Sequence, residues 1–598
     1  MSAGIPLTLT SLRQAYQGGM GAAEIVEQVY QRIEAVGDPC IFLSLFPKNQ
    51  LLSQAAALGP YDPARPLWGV PFVIKDNIDV AGHVTTAACP EFAYEAASSA
   101  VVVEQLQAAG ALLIGKTNLD QFATGLVGVR TPYGAPKNAL DPDIVPGGSS
   151  AGSGVAVAHG IASFALGSDT AGSGRVPAAL NNIVGLKPTL GALSSRGLVP
   201  ACRSLDTISV FALTAADAYE VFSHACVFDP EDGFAREVPT PSLVAPSKTL
   251  TIGIPSKDSL RFEGDAAQAQ SFAQTVSALE TQGASLREID FAPLYEIAQM
   301  LYFGAWVAER FVATESLMET RPNAVLPVTR RIISFGAEKT AADAFKDYYR
   351  LKDLSRLVRP QIEACDVLCV PSIPTFATVA ELEADPIGPN TMLGTYTNFV
   401  NLMDLCAITV PTPARQDGRP GSVTLLAQAG ADAKVAALAT KIEALGSRSL
   451  GATDWPVPVT RLSEAVPEDV IRIAVCGAHM SGLPLNHTLT ERGAQFVRST
   501  HSAPDYTFHA LPGDHVQRPG MVRTAPGTGA AITLELWDMP LTAFGGFMKT
   551  IPAPLGIGTI TLADGSTVQG FVCEAIATEA ATDITALADW RKYLAEMA

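Results

Sequence analysis

The sequence has 598 residues, too many for one ordinary domain, so two or more are expected. It is 48% hydrophobic and 17% charged, which excludes a disordered chain and suits a well-buried enzyme. A net charge of -18 argues against nucleic acid or an anionic membrane as the partner.

The N-terminus lacks a basic segment followed by an apolar one, so no signal peptide is expected. Residues 8–37 predict one or two amphipathic helices. Trp68-Gly-Val-Pro-Phe-Val-Ile74 reads as a short buried strand ending beside Lys75. Val101 to Ala109 is helical, and Ala111-Leu-Leu-Ile114 follows as a strand. Asp366-Val-Leu-Cys-Val370 and Cys406-Ala-Ile-Thr-Val410 each end at a proline. Apolar runs alternating with helical patterns predict an α/β domain with a largely buried sheet. Residues 430–445 are helical, and Gly446 to Pro458 reads as a connector. The expected division is therefore 1–445, a linker over 446–469, and a second α/β domain over 470–598. That domain opens with Ile471-Arg-Ile-Ala-Val475 and closes with an Ala-rich helix over about 580–596. No uninterrupted apolar run of about 20 residues occurs, so no membrane span is expected.

The nine cysteines are scattered and form no Cys-x-x-Cys pair. A structural zinc site is not expected, nor a redox motif, and the apolar settings suit a reduced, cytoplasmic protein. Five of the eight histidines lie beyond residue 470, which leaves few for catalysis in the first domain. A metal cluster built from histidines within 487–515 lacks ligand spacing.

Pro146-Gly-Gly-Ser-Ser-Ala-Gly-Ser-Gly154 and Ser168-Asp-Thr-Ala-Gly-Ser-Gly-Arg175 admit several readings. A flexible linker would be polar throughout, yet this stretch encloses Val155-Ala-Val-Ala158. Gly148-Ser-Ser-Ala-Gly152 fits a nucleophile elbow centred on Ser150, which needs a histidine base; His159 is too close and His224 has no supporting pattern. Gly110-Ala-Leu-Leu-Ile-Gly-Lys-Thr117 has the spacing of a phosphate-binding loop, but its inner residues are strand-like. The fourth reading takes a lysine as base. An ordinary lysine is protonated at pH 7, but burial disfavours the charge, and a neutral Lys75 could act through one serine on another.

Gly69-Val-Pro-Phe-Val-Ile-Lys-Asp-Asn77, Pro146 to Gly152, and Ser168 to Pro177 with Gly185-Leu-Lys-Pro-Thr189 together resemble the amidase signature family. Gly115-Lys-Thr-Asn-Leu-Asp-Gln-Phe-Ala123 matches it too, which removes the phosphate-loop reading. The resemblance covers roughly residues 8–445. It implies a large mixed sheet covered by helices, with Ser173 as nucleophile, Ser149 as bridging serine on a cis peptide bond, and Lys75 as base. It also implies an oxyanion hole from the amides of Thr170, Ala171 and Gly172, although many members have glycine where this chain has Ala171.

Leu301-Tyr-Phe-Gly-Ala-Trp-Val-Ala-Glu-Arg310 resembles the recognition segment of allophanate hydrolases. This implies substrate contacts from Tyr302 and Arg310, with Thr124 and Gly125 beside them. Val475-Cys-Gly-Ala-His-Met-Ser-Gly-Leu-Pro-Leu-Asn486, Arg518-Pro-Gly520 and Ile551-Pro-Ala-Pro-Leu-Gly-Ile-Gly558 resemble the C-terminal domain of that group, a fold similar to γ-glutamylcyclotransferases. The resemblance implies a cytoplasmic homodimer without cofactor, coupled to a urea carboxylase. It would release ammonia from allophanate and then decarboxylate N-carboxycarbamate. His479, near its ordinary pKa, is the residue expected to supply that proton. Other readings are a malonamide or acylamide hydrolase, an amidotransferase component, and a non-enzymatic binding module.

Overall fold

A computed structural model describes residues 4–246, 250–463, 466, 470–513 and 516–597. The described residues of Met1–Leu243 and Leu250–Arg461 form one compact unit, and those of Val244–Thr249 and Leu462–Ala598 a second.

The first unit is built on a mixed sheet of eleven strands. Its site-bearing part places Leu112–Thr117, Pro71–Lys75, Phe164–Asp169, Thr207–Ala212 and Val184–Lys187 side by side in that order. The first three run parallel and the last two are joined antiparallel. These strands are buried along their whole length, so both faces of the sheet are covered. Their near-continuous apolar runs have that cause: alternation appears only where one face meets water.

Residues 8–37 form two helices, Leu9–Gln17 and Ala22–Val36. Each buries one apolar stripe, with Leu9, Leu12 and Tyr16 on the first and Ile25, Val26 and Val29 on the second. The Gly/Ser segment supplies helix Ala151–Ala158, every residue of which is buried. Its small side chains let it pack closely on Phe164–Asp169.

The stretch read as a connector is partly core. Leu450 and Trp455 are buried in the first unit, and Gly451 N–H donates to Asn182 O (3.2 Å). A large aromatic ring stabilises by burial far more than a polar linker does. Residues 464, 465 and 467–469 of that stretch lie outside the described residues.

In the second unit, Gln495–His501, Thr533–Pro540, Val470–Val475, Thr567–Cys573 and Leu555–Thr561 make a five-stranded sheet in that order. A smaller sheet joins Pro519–Arg523, Tyr506–Ala510 and Thr582–Asp583. The closing helix is shorter than its alanine content predicts and covers Trp590–Met597. Thr582 and Asp583 pair with Ala510 and His509 instead, so tertiary strand pairing overrides local helix propensity. Among the described residues no helix is long and apolar enough to cross a membrane.

Candidate active site

Three chain segments converge at one end of the central strands. Lys75 is the last residue of Pro71–Lys75, and the parallel register sets that strand beside Phe164–Asp169. Ser149 precedes helix Ala151–Ala158, and its bond to Gly148 is cis. Ser173 lies in the turn between Phe164–Asp169 and helix Val176–Leu180.

Lys75 Nζ is 2.6 Å from Ser149 Oγ, and Ser149 Oγ is 2.9 Å from Ser173 Oγ. All three residues are buried. Burial pushes the Lys75 pKa down to about 7; nearby Asp120, Asp206 and Asp169 oppose this, and Arg310 assists it. The size of that shift matters. At its reference pKa roughly one lysine in a few thousand is neutral at pH 7, whereas at about 7 roughly half are.

Ser168 completes the lysine's surroundings, and sequence reading gave it no role. Its Oγ lies 2.8 Å from Lys75 Nζ and accepts from Asn77 Nδ2 at 3.2 Å. A neutral amine has two N–H donors and one lone pair. With one N–H donated to Ser168, a neutral Lys75 keeps its lone pair free to face Ser149. The only sequence signal was a hydroxyl at a strand end inside the nucleophile motif. Ser150, the elbow candidate, uses its hydroxyl on Ser168 O (3.3 Å). Lys116 of the phosphate-loop spacing forms a buried ion pair with Asp76 (3.1 Å).

Asp169 and Arg175 hold the turn that carries Ser173. Arg175 Nε and Nη2 donate to the two oxygens of Asp169 at 2.9 and 2.8 Å, with both side chains buried. Burial alone would raise the Asp169 pKa, but the adjoining guanidinium holds it below the usual range. The same carboxylate accepts from the amides of Gly172 and Gly174, each at 2.9 Å.

This changes the oxyanion expectation. The Gly172 amide is already committed, whereas no such partner takes the amides of Thr170, Ala171 or Ser173 among the described residues. Gly172 has φ +134°, and a Cβ there would strike the Thr397 hydroxyl, so glycine is required at 172. Ala171 needs no such freedom and is accepted.

Tyr302 lies in the last turn of helix Ala292–Phe303, and Arg310 lies in helix Val307–Thr320. The Arg310 guanidinium sits 5.0 Å from the Tyr302 ring centre and is 1% exposed. Nη1 donates to Thr124 Oγ1 at 3.1 Å. Nε and Nη2 are buried without a hydrogen-bond partner among the described residues, and so is the Tyr302 hydroxyl. Leaving charged donors unpaired costs several kcal/mol at the upper end, so this cluster is set to receive an anion. Glu309 accepts from the amide and hydroxyl of Ser204. Gly125 packs against the Asp120 carboxylate, and Arg130 Nη1 donates to Thr124 O (3.0 Å).

In the second unit, His479 follows strand Val470–Val475. Its ring stacks on Phe571 with centres 4.9 Å apart and meets Phe547 edge-on at 5.5 Å. The expectation of an ordinary pKa is not met. Burial, then the charges of Arg518 and His487, push it down to about 4. Its loop is held by Glu535, which accepts from Ser481 N (2.7 Å), Trp537 Nε1 (3.2 Å) and Arg591 Nη2 (2.8 Å). His515 lies outside the described residues. Among the described residues no group of three or more His, Cys, Asp or Glu side chains is placed to hold a metal.

Comparison with known proteins supplies the lineage. Residues 24–436 match the Amidase family, and residues 471–595 match the allophanate hydrolase C-terminal domain. Urea amidolyase of Saccharomyces cerevisiae is 42% identical over 569 residues, covering 92% of this chain and 31% of that protein. The chain thus spans about a third of the length of the urea amidolyases it matches. The solved structure of Kluyveromyces lactis allophanate hydrolase superposes with a TM-score of 0.81 at 39% identity, covering 99% of each chain. A glutamyl-tRNA(Gln) amidotransferase component from Chloroflexus aurantiacus is 34% identical over 440 residues, 68% of this chain and 90% of that protein. With the family match across most of its length, the chain belongs to the amidase family.

Proposed function

We propose that this chain hydrolyses allophanate to ammonia and carbon dioxide. The observation that carries the reading is the buried Arg310 guanidinium, two of whose nitrogens have no partner. Allophanate is a small anion with a carboxylate beside a urea-like amide, and a planar guanidinium pairs with a carboxylate through two parallel hydrogen bonds. Tyr302, Thr124 and Gly125 complete the contact.

Ser173 Oγ attacks the amide carbonyl. Its proton passes to Ser149, whose own proton passes to neutral Lys75. The amides of Thr170, Ala171 and Ser173 receive the developing oxyanion; one such donor contributes about 3 kcal/mol. Lys75 returns the proton to the leaving ammonia, and water then cleaves the acyl-enzyme to give N-carboxycarbamate.

Decarboxylation falls to the second unit at His479. The dianionic intermediate beside the ring favours the imidazolium and opposes burial, so nitrogen takes its proton from His479 as carbon dioxide leaves. The setting we propose is a cytoplasmic homodimer downstream of a urea carboxylase. The deciding experiment measures ammonia release across allophanate, urea, malonamide and glutamine. Allophanate should dominate. A preference for malonamide would move the chain to another small-amide hydrolase. Glutamine turnover requiring a partner chain would revive the amidotransferase reading.

A further inference from the structure

We infer that Asp206 is a positioning residue that fastens the Thr170 end of the nucleophile turn to the helix carrying Arg310. The inference rests on the amide-hydrolysis reading. Asp206 is buried just before strand Thr207–Ala212 and makes no hydrogen bond to Lys75, Ser149 or Ser173. One of its oxygens accepts from the Thr170 hydroxyl. The other accepts from the amides of Ala201 (2.7 Å) and Cys202 (3.1 Å). A carboxylate accepts from both sides at once; an amide here could take the two backbone N–H groups on its oxygen but would have to donate to the Thr170 hydroxyl, reversing that bond.

The turn it organises is closed by the amides of Leu205 and Asp206, each donating to Cys202 O at 2.8 Å. From that turn three bonds reach the start of helix Val307–Thr320. Cys202 Sγ–H donates to Trp306 O at 3.4 Å, and Ser204 N–H donates to Glu309 at 2.8 Å, with the Ser204 hydroxyl on the second oxygen of the same carboxylate. Asn401 Nδ2 ties the same turn to the nucleophile strand, donating to Asp169 O (2.9 Å) and Leu205 O (2.8 Å). Six residues thus join the backbone that precedes the nucleophile to the residue before Arg310. The distance between oxyanion donors and the guanidinium is set through this turn, so one small substrate is held at both ends.

A double-mutant cycle tests this, with two readouts: steady-state ammonia release from allophanate and the rate of Ser173 labelling by a fluorophosphonate, which also places an oxyanion in the turn. Thr170→Val should lower kcat and labelling by about tenfold with KM within about twofold, and Thr170→Ser should restore both. Glu309→Gln should raise KM about threefold or more and leave labelling unchanged. The double variant should depart from the product of the single effects by about threefold or more in kcat/KM. Asp206→Ala, which removes both connections, should show both losses together. Wild-type labelling in Thr170→Val, effects that simply multiply, or a folded Asp206→Ala with unaltered kcat and KM would each overturn the inference. If wild-type protein is labelled at Ser173 but releases no ammonia from allophanate, the substrate reading fails. The labelling rates of Thr170→Val and Thr170→Ser then decide the role of Asp206 without it.

Discussion

Lys75 Nζ and Ser149 Oγ lie 2.6 Å apart where the lysine is wholly screened from solvent. The contact serves either protonation state, but only the neutral amine accepts the serine proton. With a Lys75 pKa of about 7, kcat/KM for ammonia release should rise through an acid limb near pH 7 and level off above it. A limb below pH 5, or a flat profile from pH 5 to 9, counts against Lys75 as base.

The same burial has a stability cost with a definite sign. The folded pKa is below the unfolded value of 10.5, so the unfolded chain binds more protons between them and stability rises with pH across that window. Lys75→Met should be inactive yet gain thermal stability over the wild type below pH 7. That gain should shrink as pH approaches 10. Equal melting differences at pH 6 and pH 10 would show that the amine is not desolvated.

Arg310 offers two unpaired, buried nitrogens, and a lysine cannot reproduce their fork. Arg310→Lys should therefore raise KM for allophanate by about tenfold or more while fluorophosphonate labelling of Ser173 stays close to wild type. Unchanged KM in steady-state assays would remove Arg310 from the anion site.

Gly172 combines φ +134° with a close wall at Thr397. Gly172→Ala should lower kcat by about a hundredfold or more, because the added Cβ displaces the turn that carries the Ser173 nucleophile and its amide donors. Ala171→Gly should stay within about threefold. Comparable kcat values for the two variants would mean that the turn tolerates movement.

His479 should titrate at about 4 in the free protein, measured by NMR of its ring carbon, and move upward when malonate, a dicarboxylate of similar size, is added. A free value near 6.5 would show that the Phe571 and Phe547 packing is open to water. An unmoved value with malonate would separate His479 from anion binding.

Much of the first unit was legible in the chain. The run before Lys75 is continuously apolar because its strand is covered on both faces, and the Gly/Ser stretch encloses the apolar core of a buried helix. Lys75 stood out because a serine-rich segment without a usable histidine calls for a different base, and the resemblance to the amidase signature family then singled out Ser149 and Ser173. Other features had no local signal. Trp455 lies in a Pro-rich stretch whose composition reads as a linker, but an indole has more to gain by burial than the chain loses by ordering it. Thr582–Asp583 is a strand only because Tyr506–Ala510 is there to pair with it. Sequence placed His479 in a loop but could not supply the aromatic cage that lowers its pKa.

The sequence by itself determined which residue types were available for the relay and which strands would be buried, since both follow from short-range pattern. Tertiary structure alone decided the protonation of Lys75, the commitment of the Gly172 amide to Asp169, and the vacant nitrogens of Arg310. Those depend on desolvation and on partners distant in sequence, and neither is encoded in spacing.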